Sequence, residues 1–217
     1  MIDRFLNNTE VSVCGSRMLI LVKRYPNEID VSQIVAKMRH YHSYLTIVAS
    51  RDPTGGNQPG ILYDIASKTN GLCGFDKDSE IGEAVQYTDT RYTPYIEYAV
   101  NPQVSGSGTI QLAPLLVPNY NNYWFQMTIQ DDGPVSAVQN VFLSWANEKD
   151  HGLMGYNGTY IRSNGYGNHL SGTITLNEFT YNVTLDYEYS DTKSRRLQIR
   201  VYGSVVSPVS VWPPYDN

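Results

Sequence analysis

Apolar residues recur at helical spacing over the first 90 residues of this chain and at every second position from about Tyr92 onward. A period of 3.6 belongs to helices lying on a sheet, and a period of 2 to strands with one buried face. The chain is therefore expected to fold as two domains in series, residues 1–90 and 91–217, with the change falling near Thr88–Thr93. In the first, Met18-Leu19-Ile20-Leu21-Val22 is an unbroken apolar run that fits a strand buried on both faces. Val31, Ile34, Val35 and Met38 then make one helical stripe, opened by Asp30 as N-cap with Gln33 three residues on. Tyr44–Ala49 reads as a second buried strand. Pro59 opens another helix, whose buried face is Ile61, Leu62, Ile65 and Ala66 and whose stop is Gly71. Leu72–Phe75 is a third strand and Ser79–Gln86 a last helix. This β-α-β-α-β-α order demands a parallel sheet.

The later residues read as an antiparallel β-sandwich. Phe179, Tyr181, Val183, Leu185, Tyr187 and Tyr189 alternate with polar residues, as do Leu197, Ile199 and Val201, and the two segments are expected to form a hairpin around Asp191–Ser194. Tyr95–Val100, Thr109–Leu116, Tyr123–Ile129, Val138–Trp145 and Gly172–Leu176 are further strands, separated by turns such as Asp132-Gly133-Pro134 and Asn157-Gly158. Tyrosine supports this: 18 Tyr against 5 Phe suit pleated surfaces with the ring packed and the hydroxyl wet.

Composition narrows the function. A net charge of −5 with scattered Lys and Arg argues against a nucleic-acid partner. No apolar run approaches the ~20 residues of a membrane helix, and the N-terminal residues carry no apolar signal core. Asn7, Asn157 and Asn182 begin N-x-[ST] sequons, so an extracellular or secreted setting in a longer parent protein is expected, with a cytoplasmic one left open. Cys14 and Cys73 can be a disulfide or two thiols, and the sequence does not choose.

No reactive centre emerges, so no catalytic residue, metal ion or cofactor is expected. His40 and His42 lie at a helix end, where a cation complements the dipole, without a third ligand nearby. His151 and His169 fall in Gly- and Asn-rich loops. Ser105-Gly106-Ser107-Gly108 and Gly55-Gly56 read as turns, lacking the nucleophile elbow or a Walker lysine. Acidic loops at Asp131, Asp132, Asp150 and Asp191 could gather calcium at one end of the sandwich. Rigid aromatics interleaved with Asn and Gly make the best binding surface: Tyr120, Tyr123 and Trp124 in one segment, Tyr156 and Tyr160 in another, and Tyr166. The simpler reading of Trp124 and Phe125 is that they begin a core strand, and a glycan on Asn157 would mask part of the second segment.

Met18–Val22, Tyr44–Ala49 and the run Ile61-Leu62-Tyr63-Asp64-Ile65-Ala66-Ser67-Lys68-Thr69-Asn70-Gly71 resemble the C-terminal half of a von Willebrand factor A-like domain. The whole chain is similar to a nematode family of uncharacterised secreted or surface proteins that pair such a domain with a β-rich one. The resemblance implies a truncated A-like α/β segment, and Met18–Val22 as an exposed sheet edge. It does not carry metal binding over. The D-x-S-x-S loop is missing, and Lys23-Arg24-Tyr25 stands where an acidic residue is needed, so two positive charges oppose a divalent ion. The expected function is a non-enzymatic recognition or adhesion module for a protein or glycan at a surface. The alternatives are a scaffolding protein pairing through the A-like segment, or, less favoured, a glycan-acting hydrolase using carboxylates such as Glu148 and Asp150.

Overall fold

One parallel sheet and two larger antiparallel ones organise the residues that the computed structural model describes, namely 1–88, 95–129, 131–132, 135–163, 169–203 and 212–215. They divide into two units: Met1–Thr88 with Pro214–Asn217, and Asp89–Pro213.

The first unit runs α1 (Ile2–Leu6), β1 (Arg17–Val22), α2 (Ser32–His40), β2 (Tyr44–Ser50), α3 (Pro59–Lys68), β3 (Leu72–Asp76) and α4 (Ile81–Tyr87). The strands lie side by side in the order β1-β2-β3, all parallel, with Ile20 opposite Ile47 and Ile47 opposite Cys73. Val31, Val35 and Met38 pack with Leu45, Ile47, Leu62, Ile65 and Phe75 in one apolar cluster, with Ile34 and Ile61 at its margin. The helical stripes therefore face the sheet as their spacing requires.

Local details differ from the sequence expectation. Val31, not Asp30, is the N-cap of α2; the Asp30 carboxylate instead accepts the Ser32 N–H at 2.9 Å, a short side-chain turn that competes with the capping box. After α3 the left-handed residue is Asn70 (φ 56°), not Gly71. Gly71 is needed for close approach, since a Cβ there would lie 2.1 Å from the Leu45 carbonyl oxygen. Nor is β1 buried on both faces. It ends the sheet, so Met18 faces the core while Leu19 and Leu21 stay 41% and 57% exposed.

The second unit contains β4 (Tyr95–Val100), β5 (Gln103–Val104), β6 (Ser107–Gln111), β7 (Leu115–Leu116), β8 (Asn121–Thr128), β9 (Val138–Ala146), β10 (His151–Asn157), α5 (Gly158–Ser163), β11 (His169–Leu176), β12 (Thr180–Tyr189), β13 (Arg195–Arg196) and β14 (Ile199–Gly203). One sheet has the order β10-β9-β12-β6, with β7 also on β12; the other is β11-β8-β14-β4; and β13 pairs with β5. All these pairings are antiparallel. Leu143, Trp145, Val183 and Leu185 from the first sheet share one core with Phe125, Met127, Ile199 and Val201 from the second, and the Phe125 and Trp145 rings meet at 4.7 Å. The two sheets thus bury a common face.

The expected hairpin is absent. Tyr181–Tyr189 lies in one sheet and Ile199–Gly203 in the other, because the chain crosses between them through β13, where Arg195 pairs with Val104. Alternation shows that a strand has one buried face; it does not say which sheet the strand joins. His151–Asn157, read as loop, is a strand. Its Gly152 and Gly155 hide the alternation, yet both are required. A Cβ on Gly152 would lie 2.3 Å from the Trp145 ring, and one on Gly155 (φ 145°) 2.1 Å from the Val141 carbonyl oxygen.

Candidate functional site

The exposed aromatic pair of the second unit arises from the junction of β10 and α5. Asn157 stands immediately before α5, and its Oδ1 accepts the Tyr160 N–H at 2.8 Å, satisfying one of the otherwise unpaired donors of the first turn. Ile161 is fully buried in the core and fixes the helix. Tyr160 is thereby turned outward onto Tyr156, the ring centroids 4.6 Å apart and the planes 21° from parallel. Both residues are 40% exposed. Each covers one face of the other.

The other candidates do not join them. Tyr123 is 2% exposed and belongs to the core; its hydroxyl donates to the Asn119 carbonyl at 2.8 Å, and burial pushes its phenol pKa up. It is therefore packing, not ligand contact. Trp124, the next residue on β8, points to the opposite face, between Thr173 and Tyr202. Tyr120 is 71% exposed, but it precedes β8 at the end of the sheets where β12 begins, whereas Asn157 lies opposite Asn140 near the start of β9. Tyr166 lies outside the described residues. The aromatics thus fall at opposite ends of the unit.

The end that holds Tyr120 has a polar arrangement that the sequence did not reveal. Tyr181, fully buried, donates its hydroxyl to Asp150 Oδ2 at 2.8 Å and accepts the Asn177 N–H at 3.1 Å, while Asn177 Nδ2 donates to the same carboxylate at 3.2 Å. These bonds, that from Tyr181 first, hold the Asp150 carboxyl below its usual range. A glycosidase general acid needs the reverse. Lys149 places its ammonium 4.8 Å from the centre of the Phe179 ring, and Glu148 is exposed.

The four acidic loops do not converge on a calcium site either. Asp191 makes a two-pronged bond with Arg195 at 2.7 and 2.8 Å, and Asp131 lies 3.8 Å from Lys193, whereas Asp150 is at the other end of the sheets. Among the described residues no group of three or more His, Cys, Asp or Glu side chains could hold a metal ion.

In the first unit the carboxyl ends of the parallel strands, where open α/β sheets place their ligands, carry a linked polar group. The Lys23 ammonium contacts Asp78 and donates to Ser50 Oγ at 3.1 Å, and that hydroxyl donates to Asp78 Oδ1 at 2.5 Å. Tyr25 donates to the Ser50 carbonyl at 2.6 Å. The hydroxyl and carboxylate oxygens thus converge on a built-in cation. His40 ends α2, and His42 (φ 48°) stacks on Tyr215, whose ring also lies 5.0 Å from the Arg39 guanidinium.

Cys14 and Cys73 are not a disulfide. Cys14 is exposed in the loop before β1, whereas Cys73 is buried in β3, with β2 between those two strands. The sequon residues Asn7, Asn157 and Asn182 are all exposed. Asn7 Nδ2 donates to Asp3 at 3.0 Å.

A family model described as a domain of unknown function (DUF7154) matches residues 100–204, inside the second unit. No curated protein sequence matches the chain. Three solved carbohydrate-binding modules align with about half of it. The CBM6cm-2 module of Cellvibrio mixtus lichenase 5A, in complex with cellotriose, matches at 9% identity over 54% of this chain and 95% of its own, with a TM-score of 0.28. BiXyn10A CBM1 in its apo form matches at 7% identity over 51% and 99%, with a TM-score of 0.32. The C-terminal CBM6 of LamC, a marine laminarinase from Zobellia galactanivorans, matches at 17% identity over 50% and 76%, with a TM-score of 0.25. Likeness at these TM-scores establishes neither a shared fold nor a shared ligand.

Proposed function

We propose that the chain is a non-enzymatic recognition module whose β unit binds a ring-bearing ligand, a glycan, at the Tyr156–Tyr160 surface in an extracellular setting. One observation carries this reading: two tyrosines, their rings stacked at 4.6 Å and their backbone held by Asn157 and Ile161, are both partly exposed at the surface of the unit. A sugar ring presents an apolar face ringed by hydroxyls. A tyrosine offers a flat apolar surface with a donor and acceptor at its rim, and preorganisation of the pair lowers the entropy lost on binding. Exposed Asn157 and Thr159 add polar groups beside the rings. We read the first unit as related to half of an A-type domain; the β-α-β-α-β order and parallel pairing support that reading.

The test is a glycan array with the full chain, repeated for Tyr156→Ala, Tyr160→Ala and Asn157→Gln. Stacking of a ring on an aromatic is worth ~1 kcal/mol or more, so each tyrosine variant should weaken binding several-fold or abolish it. Binding that persists in both tyrosine variants, or binding of protein ligands alone, refutes the assignment.

A further inference from the structure

Beyond that reading, and independent of it, we propose that β1 is a self-association edge through which two copies of this chain pair antiparallel about a twofold axis at Ile20, making one continuous six-stranded sheet. Three observations lead there. First, β1 ends the parallel sheet, and among the described residues no backbone hydrogen bond reaches the outer side of Met18–Val22. Such edges are templates for another strand unless protected by proline, a bulge or an inward charge; Arg17, over the buried Tyr44 ring at the start of the strand, is its one charge, and Met18–Val22 contains none of these. Second, Leu19 and Leu21 are 41% and 57% exposed, an apolar surface beside the open edge.

Third, the strand is complementary to itself. Directly opposed residues of an antiparallel pair share a face, so twofold pairing must match odd with odd positions and even with even. With Ile20 on the axis, Leu19 of each copy lies opposite Leu21 of the other, and Met18 opposite Val22. Every apolar residue of the strand then meets an apolar one on its own face. Arg17 falls opposite Lys23, but Lys23 brings its own counter-ion, Asp78, whose side chain is 51% exposed and can also receive the incoming guanidinium. The occupant is fixed as a second copy by closure. The other edge, β3, is buried at every residue, so head-to-tail sheet growth is blocked and only a closed dimer can form.

Analytical ultracentrifugation of the full chain over a range of concentrations tests this. The expected result is a reversible monomer–dimer equilibrium that Leu21→Glu weakens by at least about tenfold, with thermal unfolding little changed because Leu21 is a surface residue. Leu19→Lys serves as a second variant should the first fail to fold. In a Cys14→Ser background, Ile20→Cys should form an intermolecular disulfide on mild oxidation, because opposed Cα atoms in such a ladder lie about 4.5–5.5 Å apart, inside the disulfide range. A single-chain mass at every concentration overturns the proposal. So does a dimer indifferent to Leu21→Glu, or a monomer whose β1 amides resist exchange because another segment covers the edge.

Discussion

Replacing Tyr181 by Phe isolates the hydroxyl at the centre of the Asp150–Asn177 arrangement. The ring remains in the core, so no cavity opens. What is lost is one bond to a carboxylate at 2.8 Å and the acceptor for the Asn177 N–H. Hydrogen bonds to charged groups contribute about 1.5–3 kcal/mol. Asp150 is partly exposed and keeps Asn177 Nδ2, so water and that amide recover some of it. A loss of about 1–2 kcal/mol at neutral pH is expected. All three tryptophans, Trp124, Trp145 and Trp212, lie in the second unit, so urea unfolding followed by tryptophan fluorescence reads that unit alone. The loss should also depend on pH. Because the folded state holds the Asp150 carboxyl below its ordinary pKa, the stabilisation is complete above about pH 4 and fades as pH falls through the lowered value. The difference between wild type and Tyr181→Phe should therefore shrink in acid, to what the Asn177 N–H bond contributes. A difference under about 0.5 kcal/mol at neutral pH, or one that does not shrink below pH 4, refutes the reasoning.

Gly155→Ala should destabilise the second unit by at least about 2 kcal/mol, since it combines a strained φ of 145° with backbone contact to Val141; equal urea midpoints would show that β10 can shift to admit a methyl group. Thiol titration should find Cys14 reactive in the native chain and Cys73 only after unfolding, whereas a disulfide would leave both silent until reduced.

The parts legible in the sequence are those where side-chain period alone decides structure. The stripe Val31–Met38 and the alternation from Tyr181 to Leu185 both face cores as their spacing requires. What the sequence hid depends on tertiary pairing. The strand at His151–Asn157 carries two glycines because Trp145 and Val141 crowd it, and its partner is set by β9 rather than by its own composition. The aromatic candidates share a composition, yet strand direction sends Tyr120 to one end, Tyr156 and Tyr160 to the other, and Tyr123 inward. Composition identifies the kind of residue a surface needs; register decides which of them reach it.

The return of the C-terminal residues to the first unit has a mechanical consequence. Asn70 Nδ2 donates to the Pro214 carbonyl at 3.4 Å, and Tyr215 sits over Arg39 and beside His42. The β unit is therefore an insertion tethered at both ends, and when it unfolds its chain becomes a closed loop rather than a trailing tail. Closing a loop removes entropy from the unfolded ensemble much as a cross-link does. A few contacts around one tyrosine thus let the small α/β unit restrain the denatured state of its larger neighbour, for as long as that grip holds.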